Sequence, residues 1–180
     1  GLKPNYRMPL SLFEKTWSRA GKWALLAKQP GELPATAIPS RMLQATIELE
    51  QLKKVKAANL SYQAMVTKWP EKSAAYFGLA NTYLLLNDLT KASDAYRDYL
   101  DLDASNPKAW NNMAYSLAAE GCKEAALESA YCAIELGKGA DNYWNTLKDI
   151  EALNEGKTGE DIPPANACEI PSCVYGTTVN

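Results

Sequence analysis

Large side chains recur along this chain at a fixed interval. Met42, Tyr76, Trp110 and Trp144 are equally spaced. Three and seven positions after them come further residues on the same helical face: Ala45, Leu79, Met113, Leu147, Leu49, Tyr83 and Leu117. This spacing is typical of amphipathic helices that bury one side. Self-similarity with a period of about 34 residues indicates a stack of repeated helix pairs.

The second half of each period repeats a different pattern, in which small residues alternate with larger ones. Ala58, Ala92 and Ala126 occupy one position of this pattern. The larger residues that follow are, in the first two periods, Tyr62, Met65, Tyr96 and Tyr99, and in the third they are replaced by Ala130 and Ala133. Two helices approach each other closely only where small side chains meet, while large ones fill the space on either side. The pattern therefore predicts that the two helices of each period pack against each other.

These positions resemble the tetratricopeptide repeat (TPR), in which each unit is a pair of antiparallel helices. The resemblance implies an all-α fold, a right-handed superhelix built from repeats at 39–72, 73–106 and 107–140. The seven helices are predicted near 39–53, 55–68, 73–86, 89–102, 107–120, 123–136 and 141–153. Thr46, Ala80 and Ala114 occupy one position of the earlier repeats, and since Lys148 replaces this small residue, 141–153 is interpreted as a capping helix.

Local signals agree with these boundaries. Asn106 followed by Pro107 is typical of a helix start, and Asp141 is predicted to cap the last helix. Asn87 and Gly121 lie where the chain must turn between the two helices of a repeat.

The ends of the chain do not follow the repeat. Residues 1–38 predict a short amphipathic helix around Leu12 and Trp17, then a short strand at 23–27. Residues 154–180 contain several glycines and prolines and are predicted to form an irregular tail.

The N-terminal segment resembles the final part of bacteriocin-processing papain-like cysteine peptidases, which cleave after a double glycine. The residues that carry this resemblance are Ser11, Leu12, Phe13, Trp17 and 23–26, followed by the sequence PGELPATA at 30–37. A bacterial subgroup of these peptidases continues into TPRs. The resemblance implies an exported or periplasmic protein, attached to the membrane through an N-terminal lipid, whose peptidase domain precedes Gly1.

Composition removes several classes of function. The chain has no histidine, which most nucleophilic triads and most zinc sites require. We therefore expect no catalytic residue, no metal and no cofactor in this chain. A net charge of -2 disfavours binding to nucleic acid, and no apolar run reaches the length of a membrane-spanning helix.

The TPR resemblance also predicts a binding groove along the first helix of each repeat. Its candidate residues combine apolar and aromatic side chains with amides and one lysine: Leu43, Ile47, Phe77, Asn81, Leu84, Leu85, Lys108, Asn111, Asn112, Tyr115 and Asn142. Apolar pockets with amides beside them suit an extended peptide or a partner protein, and self-association is an alternative. Some TPRs instead clamp a C-terminal carboxylate between basic residues. Phe77, Asn142 and Thr146 stand at those basic positions here, which disfavours such a clamp.

The four cysteines allow several arrangements. Cys122 and Cys132 are predicted to lie about 15 Å apart along one helix, so they are too distant to bond each other. Cys168 and Cys173 lie in the tail. Disulfides within the tail or from tail to helix are favoured over zinc, and free buried thiols remain an alternative.

We predict that this chain alone cleaves no peptide, because it lacks histidine and any residue that matches the peptidase nucleophile. Purified protein incubated with double-glycine leader peptides should leave them intact, as measured by mass spectrometry. Cleavage that persists through repurification and disappears when one cysteine is replaced would contradict this prediction.

Overall fold

The computed structural model describes residues 37–153 and 165–173, and within these ranges the chain is helical without a strand. The helices are α1 (Pro39–Gln51), α2 (Val55–Lys68), α3 (Ser73–Leu85), α4 (Leu89–Leu102), α5 (Pro107–Glu120), α6 (Lys123–Leu136) and α7 (Asp141–Glu151), followed by a 3₁₀ turn at Ala165–Cys168. Each predicted helix is found, with ends that differ by at most two residues. The helix and strand predicted for residues 1–38 lie outside the described residues. None of the described helices is long and apolar enough to cross a membrane.

The predicted turn residues take up the expected local geometry. The Asn106 side chain accepts a hydrogen bond from the backbone N–H of Lys108 at 3.0 Å, and Pro107 occupies the first turn of α5. Gly121 ends α5 with a φ of 93°, and Asn87 has a φ of 60° between α3 and α4. Both values lie in the left-handed region, which glycine and asparagine enter most readily.

Two local predictions were wrong. Asp141 is the first residue of α7 and not its N-cap, which is Ala140 without a side-chain hydrogen bond. The carboxylate still lies in the first turn, where the helix dipole favours negative charge. The tail is not wholly irregular, because Ala165–Cys168 forms a 3₁₀ turn. That short stretch contains neither glycine nor proline, and a disulfide anchors its last residue.

The chain divides into two compact units, Gly1–Gly78 and Leu79–Asn180. This division falls inside α3, so it does not coincide with a predicted repeat boundary. The partition into three equal repeats and the limits of the two terminal segments stay predictions.

In the first unit, α1 and α2 pack together through small and hydroxyl-bearing residues. Thr46 is fully buried, and its hydroxyl lies 2.6 Å from that of Ser61 and donates to the carbonyl of Met42 at 2.7 Å. A Cβ at Gly78 would lie only 2.2 Å from the Tyr62 ring, so glycine lets this ring reach the backbone of α3. The Tyr62 hydroxyl donates to the Glu50 carboxylate at 2.7 Å.

The second unit has its core between α4, α5 and α6. Trp110 is fully buried, and its indole N–H donates to the carbonyl of Ala104 at 2.8 Å. Ala92, Ala114 and Ala126 have no exposed surface, as close packing of helices around them requires. The alternation of small and large residues along the sequence is thus the packing pattern of the core.

The outer face of α7 supports its interpretation as a cap. Trp144 occupies the repeat position of the fully buried Trp110, yet it is 42% exposed. Lys148, one turn further on, is exposed as well. If another helix packed on this face, it would bury the charge of Lys148, which is unfavourable. On a capping helix that charge stays in water.

We predict that Ala126→Trp destabilises the protein by at least about 1–3 kcal/mol, because an indole cannot fit at a fully buried alanine between helices. Urea unfolding followed by circular dichroism measures this change. Glu128→Trp, at an exposed position of the same helix, is the control and should change stability by less than about 0.5 kcal/mol. Equal midpoints for both variants would contradict the assigned packing.

Candidate functional site

In the first unit, the candidate residues are partly accessible. Ile47 is 41% exposed, while Leu43 and Phe77 are half-buried. Leu43 also borders an open cleft of about 450 Å³ between the start of α1 and the start of α3. The other residues that line this cleft are Pro39, Ser40, Met65 and 71–75.

In the second unit, the candidates on α5 lie on one face of the helix. Lys108, Asn111 and Tyr115 follow each other at intervals of three and four residues, which places them side by side. Tyr115 is 42% exposed, Lys108 is exposed as well, and Asn111 is half-buried. This face therefore presents a charged group, an amide and an aromatic ring in succession.

The candidates on α3 in this unit show the same combination. Asn81 and Leu84 are half-buried, and Leu85 is 67% exposed. Asn142 is exposed in the first turn of α7. The predicted candidates of this unit are thus accessible in whole or in part, as a binding surface requires.

A hydrogen-bond network joins three of the predicted asparagines. Asn81 Oδ1 accepts from the Tyr96 hydroxyl at 2.6 Å and from Asn112 Nδ2 at 3.1 Å. Asn111 Nδ2 makes a longer contact of 3.5 Å with Asn112 Oδ1. We call Asn81, Asn111 and Asn112 the amide cluster. It fixes the orientation of the Asn81 side chain, because the carbonyl oxygen of that amide points into the network.

Tyr96 is the residue that the sequence reasoning missed. Its ring is fully buried as a core residue of α4, and only its hydroxyl reaches the amide cluster. Burial raises the pKa of the Tyr96 hydroxyl well above its ordinary value, so the group stays protonated and remains a donor. The repeat position of Tyr96 predicted a core residue correctly, but it did not reveal the polar contact.

The amide cluster has one unsatisfied atom. Asn111 Oδ1 is inaccessible to solvent and has no hydrogen-bond partner within the described part of the chain. A buried acceptor without a donor is costly, and such groups are rare in folded proteins. The terminal torsion of asparagine is soft, so this amide can turn towards a donor that reaches the face of α5.

The cysteines form two disulfides from the tail to the region of α6. Cys122 pairs with Cys168 and Cys132 with Cys173, with Cα–Cα distances of 5.3 and 5.9 Å. This pairing leaves no free cysteine. Zinc ligation, a bridge within the tail and free thiols, all open alternatives from the sequence, do not describe this structure.

The acidic residues near the end of α4 are engaged in local structure. The Asp103 carboxylate accepts hydrogen bonds from the Ser105 hydroxyl at 2.6 Å and the Tyr99 hydroxyl at 3.0 Å. Chiefly the Ser105 hydroxyl lowers the pKa of Asp103. Asp98 has its pKa raised, first by burial and then by its neighbour Asp101. Across the described ranges, no group of three or more acidic or cysteine residues is arranged to hold a metal ion.

Comparison with solved structures supports the fold. The chain is similar to the first TPR domain of Spaghetti (RPAP3), solved in complex with an HSP90 peptide, SRMEEVD, with a TM-score of 0.58. The two sequences are 18% identical, and the match covers 73% of this chain and 92% of that one. The chain therefore has a TPR-like all-α fold. No protein-family model matches the sequence, and no curated protein does.

We predict that Tyr96→Phe destabilises the protein by about 1 kcal/mol, because Asn81 loses one of its two hydrogen bonds inside a partly buried network. Chemical denaturation of both proteins measures the difference. Tyr131→Phe removes a hydroxyl from a tyrosine that is 45% exposed, and it should leave the unfolding midpoint unchanged. An equal effect of the two substitutions would contradict a structural role for the Tyr96 hydroxyl.

Proposed function

We propose that this chain is a protein-interaction scaffold that binds an extended peptide segment of a partner along the first helices of its repeats. The observation that carries this proposal is the amide cluster, which lies on helices that also expose apolar side chains. The Spaghetti TPR domain, which shares the fold, is solved with a peptide bound. A TPR-like fold with accessible apolar and amide groups has the means to do the same.

The apolar part of the surface supplies the affinity. Tyr115 and Leu85, both in the second unit, are 42% and 67% exposed. Water contact at such side chains is unfavourable, so their burial by a partner stabilises the complex, by about 25 cal/mol for each Å² of apolar surface covered. Aromatic anchors on a binding surface commonly contribute more than their neighbours.

The asparagine side chains recognise the backbone of the bound peptide. An extended peptide presents N–H and C=O groups that are not paired within its own strand. Asparagine side chains offer both a donor and an acceptor, so they suit either group. In particular, Asn111 Oδ1 needs a donor, and a peptide N–H is the donor that every partner carries.

The surface does not suit a C-terminal carboxylate clamp. At the positions that hold basic residues in such clamps, this chain has Phe77, Asn142 and Thr146. Thr146 is buried, and its hydroxyl donates to the carbonyl of Asn142 at 3.2 Å. Without positive charge at these positions, a free carboxylate is bound little more tightly than the amide groups of a peptide backbone.

We further propose that the chain acts in an oxidising compartment outside the cytoplasm of a bacterium, as the non-catalytic C-terminal module of a cysteine peptidase. Two disulfides support such a compartment, because they persist where thiols are oxidised. The similarity of residues 11–37 to the end of double-glycine peptidases supports the parent protein and a lipid anchor at its N-terminus. In that parent, the repeats would recruit the substrate that the peptidase domain cleaves.

We predict that Tyr115→Ala weakens binding of a double-glycine leader peptide at least tenfold, because alanine removes an exposed aromatic anchor, and such anchors often dominate a binding surface. Isothermal titration or fluorescence anisotropy with a labelled synthetic leader measures the dissociation constant. Tyr131→Ala is the matched control, because Tyr131 is exposed to a similar extent, 45%, but lies on α6. It should bind like the parent.

The outcomes separate the alternatives. Binding of capped peptides rich in apolar residues, with no binding of the leader, supports the scaffold but contradicts the link to the peptidase. Loss of binding in both tyrosine variants, or in neither, contradicts the assigned face. Concentration-dependent dimerisation that Tyr115→Ala abolishes, together with no peptide binding, would show that this face serves self-association.

A further inference from the structure

The C-terminal residues 165–173 are attached to the second unit at three points. Cys168 is bonded to Cys122 at the start of α6, and Cys173 is bonded to Cys132 in the body of that helix. Arg97 of α4 binds the residues on either side of Cys168: it donates from Nε to the carbonyl of Glu169 at 2.6 Å and from Nη2 to the carbonyl of Ala167. We call residues 165–173 the strap.

The spacing of the cysteines explains how the strap follows α6. Ten helical residues from Cys122 to Cys132 advance about 15 Å. Five residues from Cys168 to Cys173, in extended form, span at most about 17 Å. The two intervals match, so the strap runs parallel to α6 and is bonded to it at Cys168 and at Cys173. If the residues from Cys168 to Cys173 were helical, this stretch would be too short to reach both partners.

Arg97 is held as part of this attachment. Its side chain is only 18% exposed, and Asp94 on the same helix pairs with its guanidinium. The planar fork of arginine therefore meets a carboxylate and two backbone carbonyls at once. Because Arg97 belongs to α4 and the disulfides belong to α6, the strap connects two helices of the unit.

The two ends of each disulfide differ in accessibility. Cys122 and Cys132 are 2% and 0% exposed, whereas Cys168 and Cys173 are half-buried. Thiol–disulfide exchange requires an incoming thiolate to reach a sulfur atom in line with the bond that breaks. The strap cysteines are therefore the more accessible partners of the two bridges.

We propose that oxidation locks the strap across α4 and α6. In thiol–disulfide exchange, the incoming thiolate attacks these two bridges at the sulfur atoms of Cys168 and Cys173. The proposal concerns the stability and redox chemistry of the chain, and it does not rest on peptide binding. It assigns the strap cysteines as the exchanging residues and the α6 cysteines as their resolving partners.

The closing reaction balances with a disulfide oxidant, either a protein disulfide or glutathione disulfide. The thiolate of Cys168 attacks the oxidant, which forms a mixed disulfide and expels one thiolate of the oxidant. The thiolate of Cys122 then attacks the Cys168 sulfur, and the second thiolate of the oxidant leaves and takes up a proton. Two electrons pass to the oxidant for each bridge, and Cys173 with Cys132 follows the same sequence.

The first experiment locates the site of exchange in the oxidised full chain. Reduced glutathione is added under native conditions, the reaction is quenched with acid, and the glutathione adducts are mapped by mass spectrometry. We expect the adducts on Cys168 or Cys173. Adducts on Cys122 or Cys132, or bridges that open only at the rate of global unfolding, would overturn the proposal.

The second experiment tests Arg97 with the conservative change Arg97→Lys, which keeps the charge but loses the fork. We expect glutathione to open the bridges on the order of tenfold faster, since hydrogen bonds to the strap are lost. Arg41→Lys, at an exposed position of α1, is the control and should react like the parent. Equal rates for all three proteins would show that Arg97 does not hold the strap.

The third experiment removes one bridge without leaving a lone thiol. Cys122→Ser combined with Cys168→Ser should lower the melting temperature by roughly 10 °C, from the entropy of a loop of 46 residues. The melting temperature of the parent protein in reductant should fall by at least the same amount. An unchanged melting temperature in both cases would overturn the locking role. If the double variant does not fold, the glutathione map of the parent still decides the proposal.

Discussion

Close approach of helices at small residues is the constraint on which the rest of this structure depends. Ala58, Ala92, Ala114 and Ala126 have no exposed surface. Where these alanines let the backbones come near, large rings fill the adjacent space, and Tyr62, Tyr96 and Trp110 are almost completely buried. A larger side chain at an alanine would push two helices apart and leave cavities around the rings.

The same packing places the polar groups of the candidate site. Tyr96 is a core ring whose hydroxyl emerges beside Asn81, so the core and the amide cluster share one residue. Asn112 then joins α5 to α3 through Asn81. Asn81 and Asn112 are therefore held in place through a core residue, so little side-chain entropy is lost at these two positions when a peptide binds.

Most of the helical structure could be predicted from the sequence because it depends on residues close together in the chain. The repeat period, the Asn106 cap and the Gly121 turn each act over a few residues, and the helix ends agree to within two positions. The exposure of Lys148 likewise follows from its own chemistry. The Asp141 cap failed because a suitable residue at a helix start does not determine where the helix begins.

The details that escaped prediction depend on contacts between distant residues. The bond from Tyr96 to Asn81 joins two helices, and nothing in the repeat marks a core tyrosine as a polar partner. The disulfide pairing closes loops of 46 and 41 residues, and four cysteines allow three connectivities. In the sequence, nothing distinguishes Arg97 from an ordinary surface charge. Its role becomes visible only from its contact with the strap.

In our proposal, a peptide binds at the amide cluster and the neighbouring ring of Tyr115. The most direct test is to record the ¹H–¹⁵N spectrum of the oxidised chain during titration with a double-glycine leader peptide. We expect the side-chain amide signals of Asn81, Asn111 and Asn112 and the backbone signal of Tyr115 to shift together in a saturable manner. Saturable shifts confined to α6 and the strap, with these asparagine signals unchanged, would contradict binding at this face.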